Sequence, residues 1–199
     1  MIHSANTPRI TTERLILRRF TEADLPDIYA LFSDEEVNEY LPFFPVTSMA
    51  EAEAFYQERF ASFYTRREGF RYAICVNETN QAIGYMVLGL DAGYDLGYCL
   101  RKEYWGKGFT TEAGRAVLTQ AQMHGVPYVT ATHDVHNIAS GIVMQKLGMQ
   151  YQYPYTEQWQ PKNELVTFRL YQKNFSTRDD FVFPGHDSAI EQFIENISD

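Results

Sequence analysis

Between Arg101 and Gly114 the chain reads Arg-Lys-Glu-Tyr-Trp-Gly-Lys-Gly-Phe-Thr-Thr-Glu-Ala-Gly, residue types suited to holding an anion. Gly106 and Gly108 allow positive φ, or a close main-chain approach that a side chain would block. Phe109, Ala113, Ala116, Val117 and Ala121 then recur at three- and four-residue spacing, the period of a helix with one apolar face. Ahead of the turn Tyr94, Leu96, Tyr98 and Leu100 alternate, the period of a strand. Strand, glycine turn and helix together aim unpaired backbone N–H groups and the positive end of a helix dipole at one point. A phosphate fits that point, and Arg101, Lys102 and Lys107 surround it with positive charge. The P-loop spacing Gly-x-x-x-x-Gly-Lys-Ser/Thr is absent. The dinucleotide pattern Gly-x-Gly-x-x-Gly has Thr111 at its last position and no β-α-β alternation around it.

Other reactive residue types offer less. Cys75 and Cys99 lack Cys-x-x-Cys spacing and read as small buried strand residues. His133 and His136 have no third ligand in a metal-binding pattern and read as loop histidines, so no metal is expected. The 199 residues fit one domain with a sizeable core, and 45% hydrophobic with 15% aromatic content argues against disorder. A net charge of −9 disfavours nonspecific nucleic-acid binding and suits amines or basic peptides as partners. No apolar run reaches transmembrane length and no signal-peptide pattern opens the chain, so the expected location is the cytoplasm, away from the membrane.

Several elements must position the glycine turn. Ile10 to Phe20 reads as a first strand, with Arg14, Arg18 and Arg19 as solvated edge residues. Thr21 and Asp24 cap a helix to about Phe32. A proline-broken aromatic loop, Tyr40 to Pro45, follows. Ser48 and Glu51 form a capping box for a helix bearing Phe55, Tyr56, Phe60, Phe63 and Tyr64, a stripe read chiefly as core. Phe70–Val76 and Gln81–Leu90 form a hairpin, and Pro127–Thr132 a further strand. Asn137 caps the next helix, and two strands close the chain around Pro161-Lys-Asn. In the acidic tail, Asp187 or Ser188 caps a helix carrying Ile190, Phe193, Ile194 and Ile197.

Asp95-Leu-Gly-Tyr-Cys-Leu-Arg-Lys-Glu-Tyr-Trp-Gly-Lys-Gly-Phe-Thr-Thr-Glu-Ala resembles the acetyl-CoA signature of the GNAT N-acetyltransferase superfamily, in the form typical of its ribosomal-protein N-terminal branch. The superfamily pattern Gln/Arg-x-x-Gly-x-Gly/Ala falls on Glu103, Gly106 and Gly108, with Glu103 departing from the consensus. Asn137-Ile-Ala-Ser-Gly-Ile-Val-Met-Gln-Lys-Leu-Gly-Met resembles a second family block, and Thr12-Glu-Arg-Leu-Ile-Leu-Arg-Arg-Phe the opening strand. The blocks stand in family order over roughly Thr11 to Phe175. The resemblance implies an α/β fold in residues 1–175: a mostly antiparallel sheet of six to seven strands, flanked by about four helices. Its fourth strand is bulged and splayed from the fifth. Residues 176–199 are an acidic extension.

The resemblance also implies a reaction, direct attack of an amine on the acetyl-CoA thioester. Pantetheine would lie along Tyr98, Cys99 and Leu100. Main-chain donors from Glu103 through Trp105, Gly106, Lys107, Gly108, Phe109 and Thr110 would cup the diphosphate. Asn137 and Lys146 would complete the coenzyme site. Asp95 matches the family's strand-four acid. An ordinary aspartate titrates near about 3.9, so it would relay the amine's proton through water. Ser140 is the candidate acid, because Met144 occupies the position where many members carry a tyrosine. The acceptor is a protein N-terminal α-amine or a small-molecule amine, and the protein a monomer or homodimer. A noncatalytic acyl-CoA-binding module of the same fold is the alternative.

Overall fold

Strands Ile10–Thr11 (β1), Leu15–Arg18 (β2), Gly69–Val76 (β3), Ala82–Gly89 (β4) and Leu96–Leu100 (β5) form an antiparallel sheet in sequence order. The computed structural model describes residues 6–66, 69–176 and 180–185, and the backbone of 189–192. Alternation along β2 sends Leu15 and Leu17 to one core and Ile16 to the other. Both faces of this sheet are therefore covered.

On one face lie the helices Leu25–Phe32 (α1), Glu35–Asn38 (α2) and Met49–Arg59 (α3). Ser48 caps α3 by accepting from the Glu51 N–H at 3.2 Å, while the Glu51 carboxylate reaches back to the Thr47 N–H at 2.7 Å. Asp34 caps α2, which was not expected from the sequence, by accepting from the Glu36 and Val37 amides. On the opposite face Phe109–Met123 (α4) buries Ala113, Val117 and Ala121 against Leu15, Ile74 and Met86.

Tyr128–Asp134 (β6), Gln150–Trp159 (β7), Glu164–Asn174 (β8) and Ala189–Gln192 (β9) form a second antiparallel sheet in the order β6-β8-β7-β9. Ile138–Lys146 (α5) joins β6 to β7 and packs on α4 where Gly114 meets Leu147, whose methyls lie 2.8 Å from any added Cβ. The sheets touch at a parallel bridge, Asp95↔Thr130, with the Thr130 N–H donating to the Tyr94 carbonyl at 3.2 Å. Beyond it β5 and β6 diverge, which is the expected splay. The expected bulge in β5 is not found: it pairs with β4 in regular register from Gly84↔Leu100 to Leu88↔Leu96. The irregularity lies just before it, where Tyr94 takes a φ of 46°.

Three expectations change. The first strand is a hairpin, β1–β2, because the Thr12 hydroxyl and N–H turn the chain back onto Leu15. β2 is flanked by β1 and β3, so the one arginine within it, Arg18, is not a solvated edge residue, while Arg14 and Arg19 lie just outside the strand. Arg18 instead forms a bidentate pair with Asp24, both contacts at 2.7 Å, and is largely buried. Within the tail predicted to be helical, β9 pairs with β7 at Tyr155↔Gln192 and Thr156↔Glu191. The exposed edge of β7 supplies a row of backbone partners, which outweighs helical spacing in so short a segment. The remainder of that predicted helix lies outside the described residues.

Candidate active site

Trp105 ends a short 3-10 turn, Lys102–Tyr104, and its indole N–H donates to the Leu100 carbonyl at 2.6 Å, tying the turn to β5. Gly106 and Gly108 follow with φ of 71° and 79°, a region that costs an L-residue energy. A Cβ at Gly106 would meet no protein atom within 4 Å. Backbone conformation, not internal crowding, therefore demands glycine there. Gly108 is the N-cap of α4 and offers no side chain to its amides. Among the described residues, the N–H groups from Gly106 to Thr111 have no acceptor within the protein. With the helix dipole behind them they are built for an anion.

The turn is clamped from the first sheet. Arg14 donates to the Lys107 carbonyl at 3.0 Å and to Glu112 at 2.6 Å, and its guanidinium lies 4.4 Å from the centre of the Phe109 ring. Glu112 also accepts from the Thr12 hydroxyl at 2.6 Å and the Arg14 N–H at 2.9 Å. Burial acts to raise the Glu112 pKa, and these bonds outweigh it and hold the carboxyl below its usual value. Arg14, read from the sequence as a solvated edge residue, is thus part of the anion turn's support.

A cavity of about 850 Å³ runs from this turn through the β5/β6 split to the aromatic wall of α1 and α3. Tyr98, Cys99 and Leu100 line it along β5; Trp105, Gly106, Gly108, Phe109 and Thr110 line its anion end. Asn137, Ser140 and Lys146 line it from α5, and Asp95 from the foot of β5. Two predicted residues fall outside. Glu103 points away and pairs with Arg101 at 2.6 Å. Lys107 does not line the cavity, and its ammonium sits 5.7 Å from the centre of the Tyr104 ring.

Ser140 is placed by its own helix cap: Asn137 Oδ1 accepts from the Ser140 N–H at 3.2 Å. Its Oγ lies 2.9 Å from the Tyr98 hydroxyl, which also lies 3.0 Å from the Ser140 carbonyl oxygen. Burial pushes the Tyr98 pKa up, the Ser140 hydrogen bond opposes this, and the Asp95 charge adds to it, so the phenol stays protonated well above neutral pH. Sequence reasoning placed Tyr98 only as a backbone partner of coenzyme. Its side-chain role was half visible, since alternation puts it with Leu96 and Leu100 on the face toward α4 and α5. Nothing local announced that α5 would bring Ser140 to it. Met144 is 1% exposed and packs in the core, so it leaves no gap that a tyrosine should fill.

Cys99 turns away from the split toward the Val37 carbonyl, and burial pushes its thiol up to about 12; Cys75 behaves alike. Both are buried strand residues, as expected. His133 is not in a loop: it lies in β6, 5% exposed, and burial lowers its pKa. His136 is exposed and pairs with Asp134 at 2.8 Å. The aromatic stripe serves both readings, because Phe60 is 2% exposed in the second core while Phe55 and Phe60 also face the cavity.

Residues 14–150 match the Acetyltransferase (GNAT) domain family. The chain belongs to that family. It is 31% identical over 150 residues to an uncharacterized N-acetyltransferase, YoaA, of Bacillus subtilis (strain 168), covering 72% of this chain and 83% of the relative. Among solved structures, an acetyltransferase of the GNAT family from Bacillus anthracis superimposes with a TM-score of 0.73 at 22% identity, over 84% of this chain and 98% of that one. RimL, a ribosomal alpha-N-protein acetyltransferase solved with coenzyme A, gives 0.70 at 18% identity, over 85% and 99%. At these identities the structural likeness shows the fold, and the family match shows an acetyl-CoA-dependent acetyltransferase.

Proposed function

We propose that this GNAT protein transfers acetyl from acetyl-CoA to a primary amine of low basicity, with Ser140 and Asp95 as its proton-handling residues. The observation that carries the reading is one continuous cavity with unbonded α4 amides at one end and the Tyr98–Ser140 pair at its middle. Bound at the amides by its diphosphate, the coenzyme would extend along the open edge of β5. The free amine attacks the thioester carbonyl, the C–S bond breaks as the C–N bond forms, the amine's proton leaves toward Asp95 through water, and the thiolate takes a proton from Ser140. The single Tyr98 hydrogen serves either the Ser140 carbonyl oxygen or Ser140 Oγ, and when it turns to Oγ the serine's own hydrogen is left free to point into the cavity.

An α-amine with a pKa of about 7.7–8.0 needs only about 1 kcal/mol to lose its proton at pH 7, whereas a lysine at about 10.4 needs over 4. A weak carboxylate base therefore suits an α-amine or a comparable small-molecule amine. The noncatalytic alternative rests on Met144 and on the absence of an unmistakable base; the Tyr98–Ser140 pair is what favours turnover over binding alone. Steady-state thiol release over a panel of α-amines tests the reading. Ser140→Ala is expected to lower kcat by about 10²-fold or more with little change in acetyl-CoA affinity. An unchanged kcat removes Ser140 from the mechanism.

A further inference from the structure

Across the floor of the cavity the strand register sets Arg71 of β3 opposite Val87 of β4, and Val87 opposite Gly97 of β5. Paired residues share a face, and each strand step is about 4.8 Å, so the backbone of Arg71 stands about 10 Å from that of Gly97, with Asp95 two residues earlier in the chain. Phe32, Phe55, Phe60 and Tyr85 wall the space around this row, and Arg59 reaches it from α3. The Arg71 guanidinium is stacked on the outer ring of Phe63, 3.5 Å from its centre, which fixes its plane. Among the described residues no carboxylate pairs with Arg71; burial and the like charges of Arg59 and Arg66 lower its pKa, opposed by Tyr64 and Tyr85. Arg59 has one weak partner, Glu58 at 3.4 Å, itself largely in solvent. The acidic residues of the cavity, Glu36, Glu39, Asp95 and Asp134, stand on α2, at the foot of β5 and at the end of β6. Arg71, partly buried at an apolar wall with a like charge beside it and no carboxylate of its own among the described residues, is unfavourably placed unless something else supplies a counter-charge.

We propose that this end of the cavity is an anion subsite: Arg71, aided by Arg59, binds a carboxylate or phosphate carried by the acceptor amine. The aromatic rings take the acceptor's apolar body, and its amine lies toward Asp95. The acceptor is then an amine with an aromatic or aliphatic body and an anionic group several bonds from the nitrogen. This inference rests on the acetyltransferase reading of the same cavity.

Matched pairs of acceptors test it: phenylalanyl-glycine and its C-terminal amide, tyramine phosphate and tyramine. Each is assayed for thiol release with saturating acetyl-CoA, and for calorimetric binding to the protein loaded with coenzyme A. The expected result is that the anionic member of at least one pair is favoured about tenfold or more in kcat/KM or in affinity. The carboxylate and phosphate pairs tell which anion is preferred. The advantage should vanish in Arg71→Met and shrink in Arg59→Met, while acetyl-CoA affinity stays as in the parent protein. Arg71→Lys, which keeps the charge without the planar fork, should retain part of it. Equal treatment within every pair, or an advantage that survives Arg71→Met, overturns the subsite. Because the first comparison uses the unaltered protein, misfolding of a variant does not rescue the idea. A protein that binds acetyl-CoA and acetylates both members equally loses only the subsite. One that fails to bind acetyl-CoA loses the broader reading first.

Discussion

Tyr98 shows how much a single hydroxyl contributes once its neighbours are known. Its oxygen sits 2.9 Å from Ser140 Oγ, and burial keeps it protonated far above neutral pH. It therefore remains a donor across the whole range in which an α-amine changes from protonated to free. Since it acts through Ser140 and not on the reacting atoms, it is a positioning residue. Tyr98→Phe preserves the ring that packs against the core and removes only the hydroxyl. The expected outcome is a kcat lower by roughly tenfold to a hundredfold, with the KM for acetyl-CoA unchanged. The pH dependence of kcat/KM between about pH 6 and 9 should keep its shape, because a group with a raised pKa does not titrate there. A displaced limb in the pH–rate profile would show that Tyr98 itself titrates in catalysis.

The elements that frame the site differ in how openly the sequence declares them. The strand–turn–helix unit around Gly106 and Gly108 was legible, because alternation, positive-φ glycines and helical spacing act over a few residues. The caps at Ser48 and Asn137 were legible for the same reason. β9 was not, since it depends on the distant edge of β7, whereas the Thr12 turn of the first hairpin and the Asp34 cap of α2 are local signals that sequence reasoning missed. Arg18–Asp24, only six residues apart, was also missed, because it forms only when the chain turns at Thr21 to bring Asp24 back to the end of β2. Burial tends to raise the Asp24 pKa, but hydrogen bonds from Arg18 and Thr21 outweigh it and hold the carboxyl below its usual 3.8. A depressed carboxyl contributes stability that is full above the unfolded pKa and lost as pH falls through the lower folded value. Acid unfolding of the parent protein should therefore steepen below about pH 3.8. Asp24→Asn should destabilise the fold by on the order of 3 kcal/mol at pH 7, with the difference from the parent shrinking toward pH 2. Urea midpoints measured at several pH values decide it, and a deficit independent of pH would mean that Asp24 acts through packing alone.

At the scale of the molecule, the two sheets touch at the Asp95↔Thr130 bridge and part from there. The coenzyme is expected to span that part, reaching α4 of one structural half and α5 of the other, so binding and global stability are coupled. A ligand that binds only the folded state adds about 2.7 kcal/mol at a concentration of one hundred times its Kd. For a chain of this size about 2–4 °C accompanies each kcal/mol, so coenzyme A at that concentration should raise the Tm by roughly 5–11 °C. Gly108→Val places a branched side chain where φ is 79°, which costs on the order of 1–3 kcal/mol in the free protein and disturbs the amides that face the ligand. Its own Tm should fall by several degrees, and the coenzyme-induced rise should disappear. Gly106→Ala is the milder change, because at a φ of 71° its unbranched methyl meets no protein atom within 4 Å and the cost in the free protein is backbone strain alone. Its free Tm should change less than that of Gly108→Val, while the rise with coenzyme is still cut by more than half. If both variants fold and keep the full rise, the coenzyme's diphosphate does not rest on this turn, and the division of the cavity into coenzyme and acceptor halves falls with it.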